Sequence, residues 1–232
     1  AYAEQNPDVV AEYLPVRHDP AAPTLTNEVT TIAAFDPDVF ISMTAGNPCL
    51  LAIQEVEASG LYDRLSAAFT PSVCKGIAAS LAPAGMAADG YWIVGGGAKD
   101  TTDSGKMDEP FIAFARDLIS DAGEDAGISL TGEGVFRGYA FTEAFRIADA
   151  LPGGMSRTNL MLALRNFKIY HPGLLDGLVT ELKGNADAYF VEGSEYSKFN
   201  ATDQTWEMIG DVVDANGGTP NCRWDKANGG CR

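Results

Sequence analysis

Between residues 39 and 94 short apolar runs alternate with helical stretches, and this alternation restricts the chain to parallel strands joined by helical crossovers. VFISMT (39–44) reads as a strand. Asn47-Pro48 then forms an N-cap and first-turn pair, Leu50, Ile53 and Val56 give the helix its buried stripe, and Ser59-Gly60 ends it. The cycle repeats with RLSAAFT (64–70) as a strand, Pro71-Ser72 as a turn and VCKGIAASLA (73–82) as a helix. YWIV (91–94) is the next strand and opens into Gly95-Gly96-Gly97. Upstream, DVVAEYLPVR (8–17) has the β-branched, alternating content of a strand. Residues 24–34 read as a helix with Thr24 or Thr26 near its start and Leu25, Val29 and Ile32 on one face. The expected fold is an open α/β parallel sheet covered on both faces, with right-handed crossovers.

Beyond Gly95 the texture changes. The polar stretch AKDTTDSGKMDE precedes a helix carrying Phe111, Phe114 and Leu118, a long helix near 133–151 carrying Phe141, Ala144, Phe145 and Ala148, and a shorter one over 157–166. Strand-like segments return in LVTELKG, DAYFVEGSEYSKF and TWEMIGDVV, separated by the turns GN and NATD. The composition shifts near 95 and near 183. The middle third therefore reads as an insertion, or a second lobe, between two parts of one α/β domain.

Charge and side-chain inventory narrow the function. Sixteen Lys+Arg against 32 Asp+Glu give a net charge of -16, a surface that repels phosphate backbones and anionic lipid, so no nucleic-acid partner is expected. No apolar run approaches the roughly 18–20 residues that span a bilayer, and AYAEQNPDVV lacks the basic and apolar regions of a signal peptide; any export signal is expected to have been removed. His18 and His171 stand apart from each other, and none of the four cysteines forms a CxxC pair, so no metal site or cofactor is implied. The glycine triplet fits neither dinucleotide nor P-loop spacing and reads as a hinge or linker, and no G-x-S-x-G elbow is present. With 32 carboxylates, any acid–base pair could be nominated, which makes no nomination informative. Asn200-Ala201-Thr202 matches the glycosylation pattern, but a turn explains it. Tyr189, Phe190, Tyr196 and Phe199 either line an aromatic pocket or fill the faces of a strand.

The cysteines fall into two pairs. Cys49 and Cys74 each sit early in a helix that follows one of two successive strands, so neighbouring strands would bring them to one sheet edge. A bridge there is geometrically reasonable; the alternative is two buried free thiols. Cys222 and Cys231 lie in the polar tail NCRWDKANGGCR, which has too little apolar content to hold itself in place without a crosslink.

The stretch TLTNEVTTIAAFDPDVFISMTAGNPCLLAIQEVEASGL, with AAFTPS, YAFTEAFRIADAL and DAYFVEGSEYSKF after it, resembles the type I solute-binding proteins of ABC transporters, the group of the leucine/isoleucine/valine-binding proteins. The resemblance covers nearly the whole chain and rests on the order and spacing of elements. It implies that residues 1–95 and 184–232 form the C-terminal α/β lobe. Residues 96–183 are then the helical remainder of an N-terminal lobe whose first part is missing, leaving an apolar surface bare.

Ligands of open α/β sheets sit beyond the carboxyl ends of the strands. That rule places Thr44, Ala45, Gly46 and Asn47 after one strand, and Thr70, Ser72 and Val73 after the next, at the edge of an interlobe cleft. Both segments start helices, whose free N–H groups favour an anionic group. The position matching Ser72 is usually an acid in the amino-acid-binding members, where it pairs with the ligand's ammonium. Serine cannot do so, and the expected ligand is an organic or aromatic acid, an amide or a peptide-like compound instead of a branched-chain amino acid. The resemblance further implies capture by hinge closure without chemistry, and a membrane permease as partner. The implied location is periplasmic or at the cell surface, possible lipid anchoring through the missing N-terminal part included. An extracytoplasmic sensor domain of the same fold and a cytoplasmic α/β enzyme are the alternatives. Bridged cysteines favour export.

Overall fold

The computed structural model describes residues 2–184, 186–218, 224–225, 227 and 230–231. Its centre is a five-stranded sheet in which β1 (Val39–Ile41), β2 (Ala67–Pro71) and β3 (Trp92–Val94) are parallel neighbours. Two strands from far along the chain extend it. Their ranges are Tyr196–Asn200 and Thr205–Met208; the first pairs antiparallel with β3 and the second antiparallel with the first.

The helices α1 (Thr26–Phe35) and α2 (Asn47–Ala58) form where apolar residues recur at helical spacing. Val29, Ala52, Ile53 and Val56 bury themselves with Phe40, Ala68 and Ile93 of the sheet in the main core. Asp36, in the left-handed conformation, stops α1, as a short polar residue does with little strain. At α2 the capping position belongs to Gly46 and not to Asn47, which is the first helical residue.

Three expectations fail here. Residues 8–17 are no strand: the segment is irregular, Val9 and Tyr13 lie in solvent, and Pro7 and Pro15 have no N–H to give a ladder. Residues 73–82 are not one helix. Ser72–Cys74 is a single 3₁₀ turn, Gly76 is extended at ψ 110°, and a π turn over Ile77–Leu81 follows. The sheet, lastly, carries helices on one face, and among the described residues its other face is largely open. Register places Val39, Ile41, Phe69, Trp92, Val94 and Tyr196 on the same face; Ile41 is 64% exposed, and Val39, Val94 and Tyr196 are exposed with it. Parallel strands ordinarily carry helices on both sides, so this face is incomplete as an apolar surface.

The middle of the chain is mainly helical. Helices α3 (Pro110–Asp121), α4 (Ser129–Ala150) and α5 (Arg157–Arg165) are followed by β4 (Asn166–Ile169), which pairs antiparallel with β5 (Thr180–Lys183). Helix α5 matches the expected helix at 157–166 to within one residue, and β4 begins directly after it. Helix α4 starts at Ser129, four residues ahead of the expected 133. Ile112 and Ala115 of α3 and Ala144 and Ala148 of α4 are buried. The exposed side of α4 carries Leu130, Phe141 and Phe145. Among the described residues no helix is long and apolar enough to cross a membrane. The Cys222–Cys231 crosslink lies outside the described residues, since Cys222 is not among them.

Candidate functional site

Three chain segments run side by side between the sheet and the helical part. Gly97 O accepts from Leu175 N (2.8 Å), Lys99 N donates to Gly173 O (2.9 Å), and Gly95 N donates to Glu195 O (2.8 Å). Two glycines of the triplet, Gly95 and Gly97, are needed for this approach. A Cβ on Gly95 would lie 1.9 Å from Glu195 Oε1, and one on Gly97, whose φ is +74°, would lie 2.1 Å from Leu178 Cδ1.

Glu195 is 1% exposed and is held from two sides. Its Oε2 accepts from Gly97 N (2.8 Å) and its Oε1 accepts from Lys75 Nζ, which also donates to Ala98 O (2.8 Å). A carboxylate so deeply placed requires a paired cation, because an unpaired buried charge is very costly.

A cavity of about 630 Å³ opens beside this pair. One wall is the stretch from Ser72 to Ser80, including Lys75 and Gly76. The opposite wall is the start of α4, with Leu130, Glu133, Phe136 and Arg137; residues 96–101 form a third side, and Phe190 and Val191 a fourth. The walls approach closely below it: a Cβ on Gly76 would lie 2.9 Å from Ser129 Cβ, and one on Gly132 2.0 Å from Thr101 Oγ1. Lys99 pairs with Glu109, whose carboxyl burial pushes up but Lys99 and Lys106 hold below its ordinary value.

Of the residues placed at the site by sequence, Ser72 and Val73 line the cavity. Both are exposed at its mouth. Thr44 and Thr70 are buried. Ser42 Oγ lies 2.8 Å from Thr44 Oγ1, which contacts Cys74 Sγ at 3.6 Å; a disulfide sulfur can only accept, so Thr44 donates. Ala45, Gly46 and Asn47 are exposed at the start of α2 and are not among the cavity's lining residues. The Cys49–Cys74 disulfide joins the two junctions, with Cα atoms 5.7 Å apart. The expected helix N-terminus at Ser72–Val73 is absent: only one turn forms there, and the next helical N–H, that of Ile77, donates to Asp100 Oδ2 (2.8 Å). No free helix end therefore faces the cavity from that side.

The cavity residues of 96–101 and 129–137 were not legible as a site. The one signal for them was the glycine triplet. Of the four aromatic residues nominated, Phe190 reaches the cavity and stacks on Phe167 (5.4 Å), Phe199 packs in the core on Trp206 (5.2 Å), and Tyr196 lies on the bare sheet face. Asn200 works as a turn residue: its Oδ1 accepts from Thr202 N and Asp203 N, both at 3.0 Å. Among the described residues no group of three His, Cys, Asp or Glu side chains could hold a metal ion.

Behind Phe136 sits His171, 3% exposed, with its ring 4.0 Å from that of Phe136. Its Nδ1 accepts from Gly173 N (3.1 Å), so its Nε2 carries the proton and donates to Phe136 O (2.9 Å). Burial holds the imidazole pKa below 6.5. The unfolded chain then binds a proton that the folded chain refuses, and stability falls as pH drops through 6.5 toward the folded value. Urea unfolding at pH 7.5 and 5.5 should give a lower free energy at 5.5, with a slope of no more than about 1.4 kcal/mol per pH unit from this group. A His171→Gln variant should lose that slope; one that retains it in full would contradict the assignment.

No family model and no curated protein matches the sequence. Solved structures do match. A branched-chain amino acid ABC transporter protein from Thermus thermophilus with bound valine superposes at a TM-score of 0.72 and 14% identity, over 91% of this chain and 56% of that one. A solute-binding protein of an R. palustris ABC transporter, in complex with 4-hydroxybenzoate, gives 0.66 at 14% identity over 86% and 51%. The leucine-, isoleucine-, valine-, threonine- and alanine-binding protein of Brucella ovis, in its closed conformation, gives 0.63 at 15% identity over 94% and 54%. The chain spans about half the length of these proteins. Its fold, over most of its length, is that of the type I periplasmic binding proteins.

Proposed function

We propose that this chain belongs to an extracytoplasmic solute-binding component of an ABC uptake transporter, which holds a small polar solute between two lobes and presents the closed form to a membrane permease. Residues 1–95 and 184–232 are, in this reading, the C-terminal lobe and 96–183 a remainder of the N-terminal lobe. The observation that carries it is the cavity between the Ser72–Ser80 wall and the start of α4, bordered by the three side-by-side segments about which two bodies could close. No bond of the solute need change. A ligand that touches both walls stabilises the closed arrangement because its contacts are complete only there.

The bare face of the sheet supports a further segment of the same protein, the first part of the N-terminal lobe included, as the cover for surfaces exposed in these 232 residues. The cavity chemistry favours an organic acid over an α-amino acid. Ser72 offers no charge for an ammonium, Asp100 spends both oxygens on Ile77 N and Thr102, and Glu133 lies beside Arg137. Apolar contact would come from Val73, Leu130, Phe136 and Phe190.

A thermal-shift screen of amino acids, aromatic carboxylates and aliphatic organic acids tests this reading. A solute at 100 times its Kd adds about 2.7 kcal/mol, which for a chain of this size raises Tm by about 5–11 °C. One chemical class, the organic acids, should give such a shift. A flat screen contradicts solute binding, and a shift from valine or leucine alone contradicts the ligand class.

A further inference from the structure

An ammonium group has three N–H donors and no acceptor. Lys75 spends two of them, on Glu195 Oε1 and Ala98 O, while its side chain keeps 14% of its surface exposed and lines the cavity. We propose that the third donor of Lys75 is the anchor for the solute's carboxylate, with the apolar body of the solute lying toward Val73, Phe136 and Phe190. This assignment rests on the solute-binding reading and adds to it the residue that chooses the ligand's charged end.

Several features favour Lys75 over the other cations of the cavity. Lys99 is engaged by Glu109, and Arg137 is 74% exposed beside Glu133, so water screens it. Lys75 is fixed in place. Its backbone carbonyl accepts from Trp206 Nε1 (3.0 Å), and Cys74, the preceding residue, is bridged to Cys49. Glu195 and Ala98 direct two of the donors toward the crossing segments, which leaves the third to solvent or a ligand. Glu195 acts here as a positioning residue, since it holds the ammonium without reaching the cavity's lining. A carboxylate makes a stronger, charge-assisted bond to such a donor than a neutral amide does.

The single variant Lys75→Met would strand the Glu195 carboxylate, so the binding test uses Lys75→Met/Glu195→Gln, which removes both charges together. Calorimetric titrations with benzoate, benzamide and valine are compared in wild type and double variant, with circular dichroism reporting the fold of each. The expected result is benzoate binding in the wild type that weakens at least tenfold in the double variant, with benzamide affinity changed less than threefold. Equal benzoate affinity in the two proteins overturns the role of Lys75 and leaves solute binding standing. Wild-type protein that takes valine or benzamide but not benzoate overturns it as well. Protein that binds no member of the full solute panel overturns both this assignment and the reading on which it rests.

Discussion

Replacing Lys75 alone by methionine should cost about 3–5 kcal/mol of unfolding free energy, the usual consequence of leaving a buried charge without its partner. For a chain of 232 residues that corresponds to a fall in Tm of about 6–20 °C. Glu195 is the reason: it is 1% exposed, and its side chain is held by Lys75 Nζ and the N–H of Gly97. Glu195→Gln should cost less, because the partly exposed ammonium keeps Ala98 O and can turn to water. The double variant should recover part of the loss of Lys75→Met, since no bare charge remains. Urea denaturation followed by circular dichroism measures all three. A loss under about 1 kcal/mol for Lys75→Met would mean that the pair is effectively solvated.

The second large effect belongs to the Cys49–Cys74 disulfide. With a sequence separation of 25 between the joined positions, the chain-entropy relation gives about 3.5 kcal/mol of stabilisation. Cys49→Ala/Cys74→Ala should lower the denaturation midpoint accordingly. Because Cys74 stands two residues from Ser72, the same change should also loosen the mouth of the cavity, visible as faster amide exchange over 72–76. Thiol titration of denatured, unreduced protein should find neither of these two sulfurs free. A double variant as stable as the wild type would contradict the crosslink's role.

Much of the sheet could be read from the sequence because its strands are short apolar runs, and such runs between helical periods have few other homes. The Cys49–Cys74 bridge followed from the same logic, since adjacent parallel strands bring their β-to-α junctions together. Local reading failed where a distant partner decides the outcome. The strand Asn166–Ile169, which Thr180–Lys183 pairs with, carries no local signal of its own directly after a helix. Residues 8–17 have strand-like composition and no partner. The stretch after Ser72 looks helical, yet Gly76 must extend so that the chain can pass Ser129, and Asp100 takes the amide of Ile77. The cavity shares this limit. Ser72 and Val73 could be placed from strand order, whereas Lys75, Phe136 and the segment 96–101 meet only through contacts between parts of the chain tens of residues apart. Glu195 left a trace only in its counterpart, Gly95, which clears space for it.

Hydrogen exchange across the two cavity walls, measured with and without a saturating organic acid identified by the thermal screen, tests the central claim most directly. If a small molecule is gripped there, amides of 72–80 and of 129–137 should slow together, the solute should be recovered unchanged, and the bare sheet face around Ile41 should exchange as before. Protection confined to one wall, protection at the sheet face instead, or a chemically altered solute would contradict it.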